Sequence, residues 1–443
     1  MVGLFQNNMM LRRRSMMAED GKIVIADDTK YGVAEANAPV VEIMYKKGWC
    51  KNEHYVTQGE CNAITPSMIG NAFQDTTAIE HFDELKYFGS LNVLPAYIFR
   101  RCKELKRVTI PSGCKALNNY IFSECYALET VNTQGNDFYA TTTLNHAFHN
   151  CQKLKKLDVS NWKLSRCRDM GYMFYGCSGL TTLDVTGFDT KAVTNMGYMF
   201  NGCSSLTTLD VTGFDTKAVT NMGYMFNGCS GLTTLDVTNF DTKAVTNMYS
   251  MFYGCSGLTT LDVTNFDTKA VTDMGYMFYG CSGLTTLDVT GFDTKAVTNM
   301  NGMFTGCNSL KSLNLGNWDT TNFSYVCRYP IDRFPDCKSL TQLNLKNWDT
   351  TNFADQLNLI ITSGMEEVTL GEGFGKSKIG IYINAAGNTK WVSTSLVTSL
   401  LALYDRKTNG LSDCTIKLSS VLYAALGDDN IATLQTRGYN VTT

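Results

Sequence analysis

Between about residues 150 and 320 the apolar positions of the chain fall into one arrangement that recurs every 26 residues. The copy from Val193 reads VTNMGYMFNGCSSLTTLDVTGFDTKA, and those from Val219, Val245 and Val271 are close to identical. Each copy holds two periodicities. Met196, Met199 and Phe200 lie at i, i+3 and i+4, which predicts one face of a short helix, with Asn195 as its N-cap and Gly202 as its left-handed stop. Leu209 and Val211 alternate with Thr208, Asp210 and Thr212, the pattern of a half-buried strand. Asp215 and Thr216, after Phe214, carry turn chemistry. One copy therefore reads as strand, turn, short helix, turn. So short a unit buries too little to offset the entropy of ordering it, so copies must stack to fold.

Leu206-Thr207-Thr208-Leu209-Asp210-Val211 fits the L-x-x-L-x-L strand signature, and 26 residues falls within the leucine-rich-repeat period. The expected fold class is an α/β repeat: a leucine-rich-repeat solenoid with one parallel sheet and short helices, flanked by caps. Upstream, Leu105 to Pro111 and Leu128 to Val131 repeat the strand in a shorter form, with Cys102 and Cys125 only 23 residues apart. Downstream, Leu310 to Leu315, Leu340 to Leu345 and Val368 to Leu370 continue it. The division predicted is an extended N-terminal arm or anchor over 1–40, a mostly helical cap over 41–90, the solenoid over 91–373 in about ten coils, and a small α/β cap over 374–443. In that last cap the pattern predicts helices at Ser395 to Tyr404 and near Asp428 to Gln435, with a strand at Thr415 to Leu418 between them.

Composition supports a packed interior, with 44% hydrophobic residues and 6 prolines among 443 positions. The net charge of −3 gives no overall footprint for a nucleic-acid backbone. No apolar run is long enough to span a membrane. The basic cluster Arg12-Arg13-Arg14 follows Met9-Met10-Leu11, the wrong order for a secretory signal peptide. Of the 16 cysteines, Cys151, Cys177, Cys203, Cys229, Cys255, Cys281 and Cys307 recur at the repeat period. Stacked in one inward column they point the same way, which is poor disulfide geometry, and they read as small buried hydrophobes. For Cys50 and Cys61, outside the column, a bridge and free thiols stand as alternatives.

Sites for chemistry are few. His146, His149 and Cys151 have ligand-like spacing, but in the 26-residue register the two histidines occupy the outward slots of Tyr172 and Tyr175, so no metal site is expected. Gly371 to Ser377 resembles a phosphate-binding loop but is one residue short between its outer glycines. No nucleophile elbow or zinc-protease motif occurs, so no enzyme activity and no cofactor are expected.

Two files of side chains are the candidate binding residues. Asp158, Asp184, Asp210, Asp236, Asp262 and Asp288 line up on the outer strand face, continued by Asn314 and Asn344. Strands about 4.8 Å apart would bring these carboxylates close enough to repel. Either splaying, solvent and the flanking Thr182, Thr208, Thr234, Thr260 and Thr286 relieve the repulsion, or a cation or a basic partner does. Repulsion alone predicts raised pKa values and stability that falls as pH rises from about 4 to about 6. The second file is Tyr172, Tyr198, Tyr224 and Tyr276 on the expected helical side, with Tyr175, Tyr253 and Tyr279 beside it. Those rings either present area to a ligand or cover the neighbouring coil.

The pattern F-D-T-x-x-V-T-N-M-x-x-M-F-x-G-C-x-x-L-x-x-L-D-V, from Ala140 to about Leu345, resembles the BspA-like leucine-rich repeats of bacterial surface proteins. Ala96 to Cys102 with Val108 to Pro111, and Tyr120 to Cys125, look like that family's shorter repeat. His81 to Phe88 and Gly438 to Val441 look like segments flanking such repeats in gut Bacteroides-type bacteria and their phages. Some relatives carry an acidic calcium loop before the first repeat, whereas Asn52 to Glu60 here lacks the alternating aspartates. The resemblance implies adhesion or protein recognition, with a host-surface glycan or protein as partner. The N-terminal arm would hold other virion or surface proteins, and a homo-oligomer is compatible with this. Location at a phage particle or a bacterial cell surface is expected, the missing signal peptide favouring the phage. A purely structural virion spacer is the alternative.

Overall fold

The computed structural model describes residues 22–26, 33–53, 55–322, 337–353, 357–362, 364–378, 381–391 and 393–443. The chain divides into two compact units, Met1–Ala192 and Val193–Thr443.

In the first unit, strand β1 (Lys22–Ala26) pairs antiparallel with β2 (Val33–Asn37) and parallel with β3 (Val56–Thr57). The stretch expected as an extended arm thus contains a strand pair, and its residues 1–21 and 27–32 lie outside the described ones. Helix α1 (Ala38–Lys46) buries Val40, Val41 and Met44. Helix α2 (Gln58–Ala63) begins at a reciprocal cap, in which the Thr57 hydroxyl accepts the Glu60 amide and the Glu60 carboxylate accepts the Thr57 amide. Helix α3 (Pro66–Ile69) starts at Thr65. Coil stacking begins with β4 (His81–Phe82), which pairs parallel with β5 (Arg107–Thr109), and β5 with β6 (Thr130–Asn132).

In the second unit, β7 (Ser312–Asn314), β8 (Gln342–Leu345) and β10 (Glu367–Leu370) form a parallel sheet in the order β10-β8-β7. A second parallel sheet, ordered β13-β12-β11-β9, unites β9 (Leu357–Ile360), β11 (Ile381–Ala385), β12 (Cys414–Leu418) and β13 (Tyr439–Thr442). Its helices are α4 (Ser393–Leu401), α5 (Ser420–Leu426) and α6 (Asp428–Thr436). The hydroxyl of Ser399 on α4 donates to the Val368 carbonyl of β10 at 2.8 Å.

The expected short helix in each repeat is absent from the described copies, and a ladder of turns takes its place. Amides at alternate positions reach into the next coil: Met196 to Asn221 O at 3.0 Å, Tyr198 to Gly223 O at 2.9 Å, Phe200 to Met225 O at 2.9 Å and Gly202 to Asn227 O at 2.7 Å. The amides between them close turns within the coil, Met199 to Met196 O, Asn201 to Tyr198 O and Cys203 to Phe200 O. The first unit does the same, as with His146 to Gly171 O and Phe148 to Met173 O. The six residues between Asn195 and Gly202, one of them a glycine, are too few to hold a helix alone, while a partner coil offers a carbonyl to every second amide. Asn195 does not cap a helix. Its Oδ1 accepts the Gly197 amide and an Asn221 Nδ2 hydrogen, so the asparagines pair from coil to coil. Gly202 does adopt a left-handed φ of 72°, as a turn residue.

Met196, Met199 and Phe200 are fully buried nonetheless. Consecutive turns return a side chain to the interior at the same i, i+3, i+4 spacing as a helix. In the second unit the buried rings stack coil on coil, Phe200–Phe226 at 5.8 Å, Phe226–Phe252 at 5.7 Å and Phe252–Phe278 at 5.8 Å between centroids. Beside them column cysteines donate their thiols to a phenylalanine carbonyl one coil back, Cys229 Sγ to Phe200 O at 3.1 Å and Cys255 Sγ to Phe226 O at 3.1 Å. Cys50, Cys61 and the column cysteines are buried, and none of them is in a disulfide.

The strand segment also departs from expectation. Leu209 and Val211 are buried while Thr208, Asp210 and Thr212 are exposed, so the alternation holds. Yet among the described residues Leu209–Val211, Leu235–Val237 and Leu261–Val263 exchange no backbone hydrogen bonds with one another. The regular strands β5 to β8 and β10 carry Thr109, Asn132, Asn314, Asn344 or Thr369 at the position equivalent to Asp210. Asp158 and Asp184 in the first unit and Asp210, Asp236, Asp262 and Asp288 in the second lie in copies that form no such strand, whereas β4 pairs with β5 immediately before Asp83, which falls in the same register. In the copies without a strand, the aspartate Oδ1 accepts both the amide and the hydroxyl of the residue two positions on, a local turn that competes with strand pairing.

Candidate recognition surfaces

All the file aspartates are exposed. Each holds its own chain two residues on rather than a neighbour. Asp210 Oδ1 accepts the Thr212 amide at 3.0 Å and its hydroxyl at 2.6 Å. Asp184 does the same with Thr186, Asp236 with Thr238, Asp262 with Thr264 and Asp288 with Thr290. The bonding threonines therefore follow the aspartates, and the preceding Thr182, Thr208, Thr234, Thr260 and Thr286 do not fill that role. This reverses the expected titration. The hydroxyl and amide lower the pKa of Asp210, Asp236, Asp262 and Asp288, and for Asp236 they outweigh the opposing effect of Asp210 and Asp262.

The tyrosines stand half-buried on the turn ladder, in a backbone conformation that side chains rarely adopt: φ is 58° at Tyr172, 61° at Tyr198, 58° at Tyr224 and 56° at Tyr276. In the second unit Tyr198 and Tyr224 stack at 4.2 Å with planes 12° apart. The copy from Val245 reads Met248-Tyr249-Ser250 where others read Met-Gly-Tyr, so Ser250 takes the left-handed position with φ 54°. Tyr249 fills the gap from the neighbouring position, tilted at 5.1 Å from Tyr224 and edge-on at 5.6 Å from Tyr276. Burial and contact with Tyr224 push its phenol well above the usual range. Tyr253 and Tyr279 stack beside this file at 4.6 Å. In the first unit the file runs Tyr97, Tyr120, His146, Tyr172, with centroids 4.9, 4.4 and 4.2 Å apart. Arg100 lies over Tyr97 and Tyr120.

The histidines are parts of these stacks. His146 sits between Tyr120 and Tyr172, and His149 on Tyr175 at 4.8 Å. Burial and the neighbouring His149 lower His146 to about 4, so both histidines are neutral at physiological pH. The Cys151 thiol turns inward to Phe122 O at 3.2 Å. In the loop Gly371 to Ser377, glycines serve close packing: a Cβ on Gly371 would meet Lys346 O at 1.8 Å and one on Gly373 would meet Trp348 O at 2.4 Å. Lys376 pairs with Asp349 at 2.9 Å, and Ser377 is fully buried.

A third feature was not read from the sequence. On the outer face of the first unit an open trough of about 700 Å³ is lined by Lys153, Lys155 and Lys156 with Gln152, Glu129 and Thr181 among its walls. The signal was present: Lys153 occupies the slot of Ala127 and Gly179, and Lys155 and Lys156 the slots of Thr181 and Thr182. A Cβ on Gly179 would lie 2.3 Å from Gln152 O, so the floor beside Lys153 is bare backbone.

No curated protein matches the chain. Among solved structures it is similar to a leucine-rich repeat protein from Bacteroides ovatus, with 15% identity, 79% of this chain and 87% of that one covered, and a TM-score of 0.32. A leucine rich cell surface protein from Faecalibacterium prausnitzii gives 16% identity, 76% and 85% coverage and a TM-score of 0.31. The family model described as Mycoplasma protein of unknown function, DUF285, matches residues 142–260 and 255–363, together half of the chain. DUF285 is a repeat family of the BspA-like kind, and this chain belongs to it.

Proposed function

We propose that the chain is a non-catalytic recognition protein, displayed at a bacterial cell surface or on a phage particle, whose coils stack as leucine-rich-repeat solenoid turns and present an ordered face to a host glycan or protein. The supporting observation is that exposed positions repeat as faithfully as buried ones. The core requires Leu209, Val211 and Phe200 to recur, but it places no demand on Thr207, Thr208, Asp210 or Thr212, which recur too. Each aspartate is already held in one orientation by its threonine, so a partner meeting this face would find polar groups ordered before contact. Asp184, Asp210, Asp236, Asp262 and Asp288 are the proposed contacts on one face, and the edges and hydroxyls of Tyr172, Tyr198, Tyr224 and Tyr276 those on the other. Residues 1–40 would carry the anchor to the displaying assembly.

A second reading is a structural spacer with no external ligand, and one observation favours it: Tyr198 and Tyr224 spend their ring faces on each other. Cell-binding assays with the labelled full chain separate the two. Recognition predicts saturable binding to host cells that the triple variant Asp210→Asn, Asp236→Asn, Asp262→Asn weakens. Absence of saturable binding, together with incorporation into particles or envelopes, establishes the spacer.

A further inference from the structure

We infer that the lysine trough of the first unit is a subsite for an acidic sugar, a unit bearing a carboxylate or a sulfate. The inference rests on the recognition reading and names a ligand class for it. Three exposed lysines converge there: Lys153 stands beside the bare backbone of Gly179, and Lys155 and Lys156 stand beside Thr181 and Thr182 of the adjoining coil. The register is fixed by Thr181, whose amide and hydroxyl both donate to Lys155 O, at 3.0 and 3.3 Å. Three other basic residues of this unit are engaged, Lys106 with Glu80 at 2.7 Å, Arg101 with Glu124 at 3.3 Å and Lys163 with Asp137 at 3.3 Å. Among the described residues no carboxylate lies within ion-pair distance of Lys153, Lys155 or Lys156, so their ammonium groups face solvent ready for an anion.

The rest of the lining decides which anion. Glu129 is part of the wall, and Asp158 shares the exposed face two residues from Lys156. A phosphate polymer carrying a charge at every step would meet these carboxylates as well as the lysines. One acidic unit flanked by neutral, hydroxyl-rich units would not. Gln152, Thr130, Thr181 and Thr182 supply amide and hydroxyl groups, and Glu129 an acceptor, for sugar hydroxyls around a single charge. The equivalent slots of the second unit hold threonine in its near-identical copies, Thr207, Thr208, Thr233 and Thr234, and a lone lysine, Lys311, beside Ser312 further on, so no copy there repeats the adjacent pair. The trough therefore belongs to the first unit's coils.

The test uses the full chain with four probes: hyaluronate oligosaccharide for carboxylate, chondroitin sulfate oligosaccharide for sulfate, neutral dextran oligosaccharide, and single-stranded DNA. Expected is binding to at least one acidic sugar, weakened by salt and absent with dextran. The variant Lys153→Gln, Lys155→Gln, Lys156→Gln should lose about tenfold or more in affinity. Lys217→Gln, Lys243→Gln, Lys269→Gln should match the parent, and Lys155→Gln alone should fall between. Equal binding of dextran, tighter binding of DNA, or an unaffected trough variant overturns the inference. If the parent adheres to cells but takes up no acidic probe, this subsite is wrong and recognition stands. If it binds neither, both fail.

Discussion

Asp210 and Thr212 form a closed pair on the outer face, the carboxylate oxygen Oδ1 accepting both the threonine amide and its hydroxyl. The pair recurs at Asp236, Asp262 and Asp288, and it sets the sign of the acid response. Folding lowers these carboxyl pKa values, so their contribution is present above the unfolded value of about 3.9 and lost as pH falls through the lower folded value. The melting temperature should be level from pH 7 to about 5 and drop below about pH 4. Asp210→Asn, Asp236→Asn, Asp262→Asn should shrink that drop. A melting temperature that climbs as pH falls from 6 to 4 would restore repulsion as the dominant effect.

The cysteine column predicts chemical inertness. Burial holds Cys177, Cys229 and Cys281 at about 12, and their thiols donate to the preceding coil's phenylalanine carbonyls. Because thiolate is the reactive form, native protein at pH 8 should react slowly with thiol reagents, and denatured protein fully. Reducing agent should leave the melting temperature unchanged. Rapid native labelling at the column positions, found by peptide mapping, is the result inconsistent with this packing.

Tyr224 touches a ring on each side, Tyr198 at 4.2 Å and Tyr249 at 5.1 Å. Such aromatic pairs contribute about 0.5–1.5 kcal/mol each, so Tyr224→Ala should cost roughly 1–3 kcal/mol in chemical denaturation. Tyr224→Gly should recover part of this, since φ is 58° there and glycine accepts it without strain. If alanine and glycine are equally destabilising, backbone strain plays no part at this position.

The repeat period and the identity of its buried positions were legible from residue spacing, because Leu209, Val211, Met196, Met199 and Phe200 must all face one interior. The backbone between them was not. Turns stacked on a neighbouring coil and a helix bury the same positions, and only the destination of the Met196, Tyr198 and Phe200 amides tells them apart. The Asp file was legible as a file. The partner of each carboxylate was hidden because a turn two residues long competes with strand pairing, a balance that residue type alone does not fix. The trough needed three lysines to be seen against the small residues of adjoining coils, a comparison across slots rather than along the chain.

Amide hydrogen exchange of the native chain tests most directly how the coils are joined. The amides of Met222, Tyr224, Phe226 and Gly228 each donate to the next coil, whereas those of Leu235, Asp236 and Val237 have no such acceptor among the described residues. The first set should exchange far more slowly than the second. In the variant Asp210→Asn, Asp236→Asn, Asp262→Asn, the amides at 235–237 should gain protection as the strands close. Equal protection of the two sets in the parent, or slower exchange at Leu235–Val237 than at Met222–Gly228, would contradict a fold joined through its turn ladder.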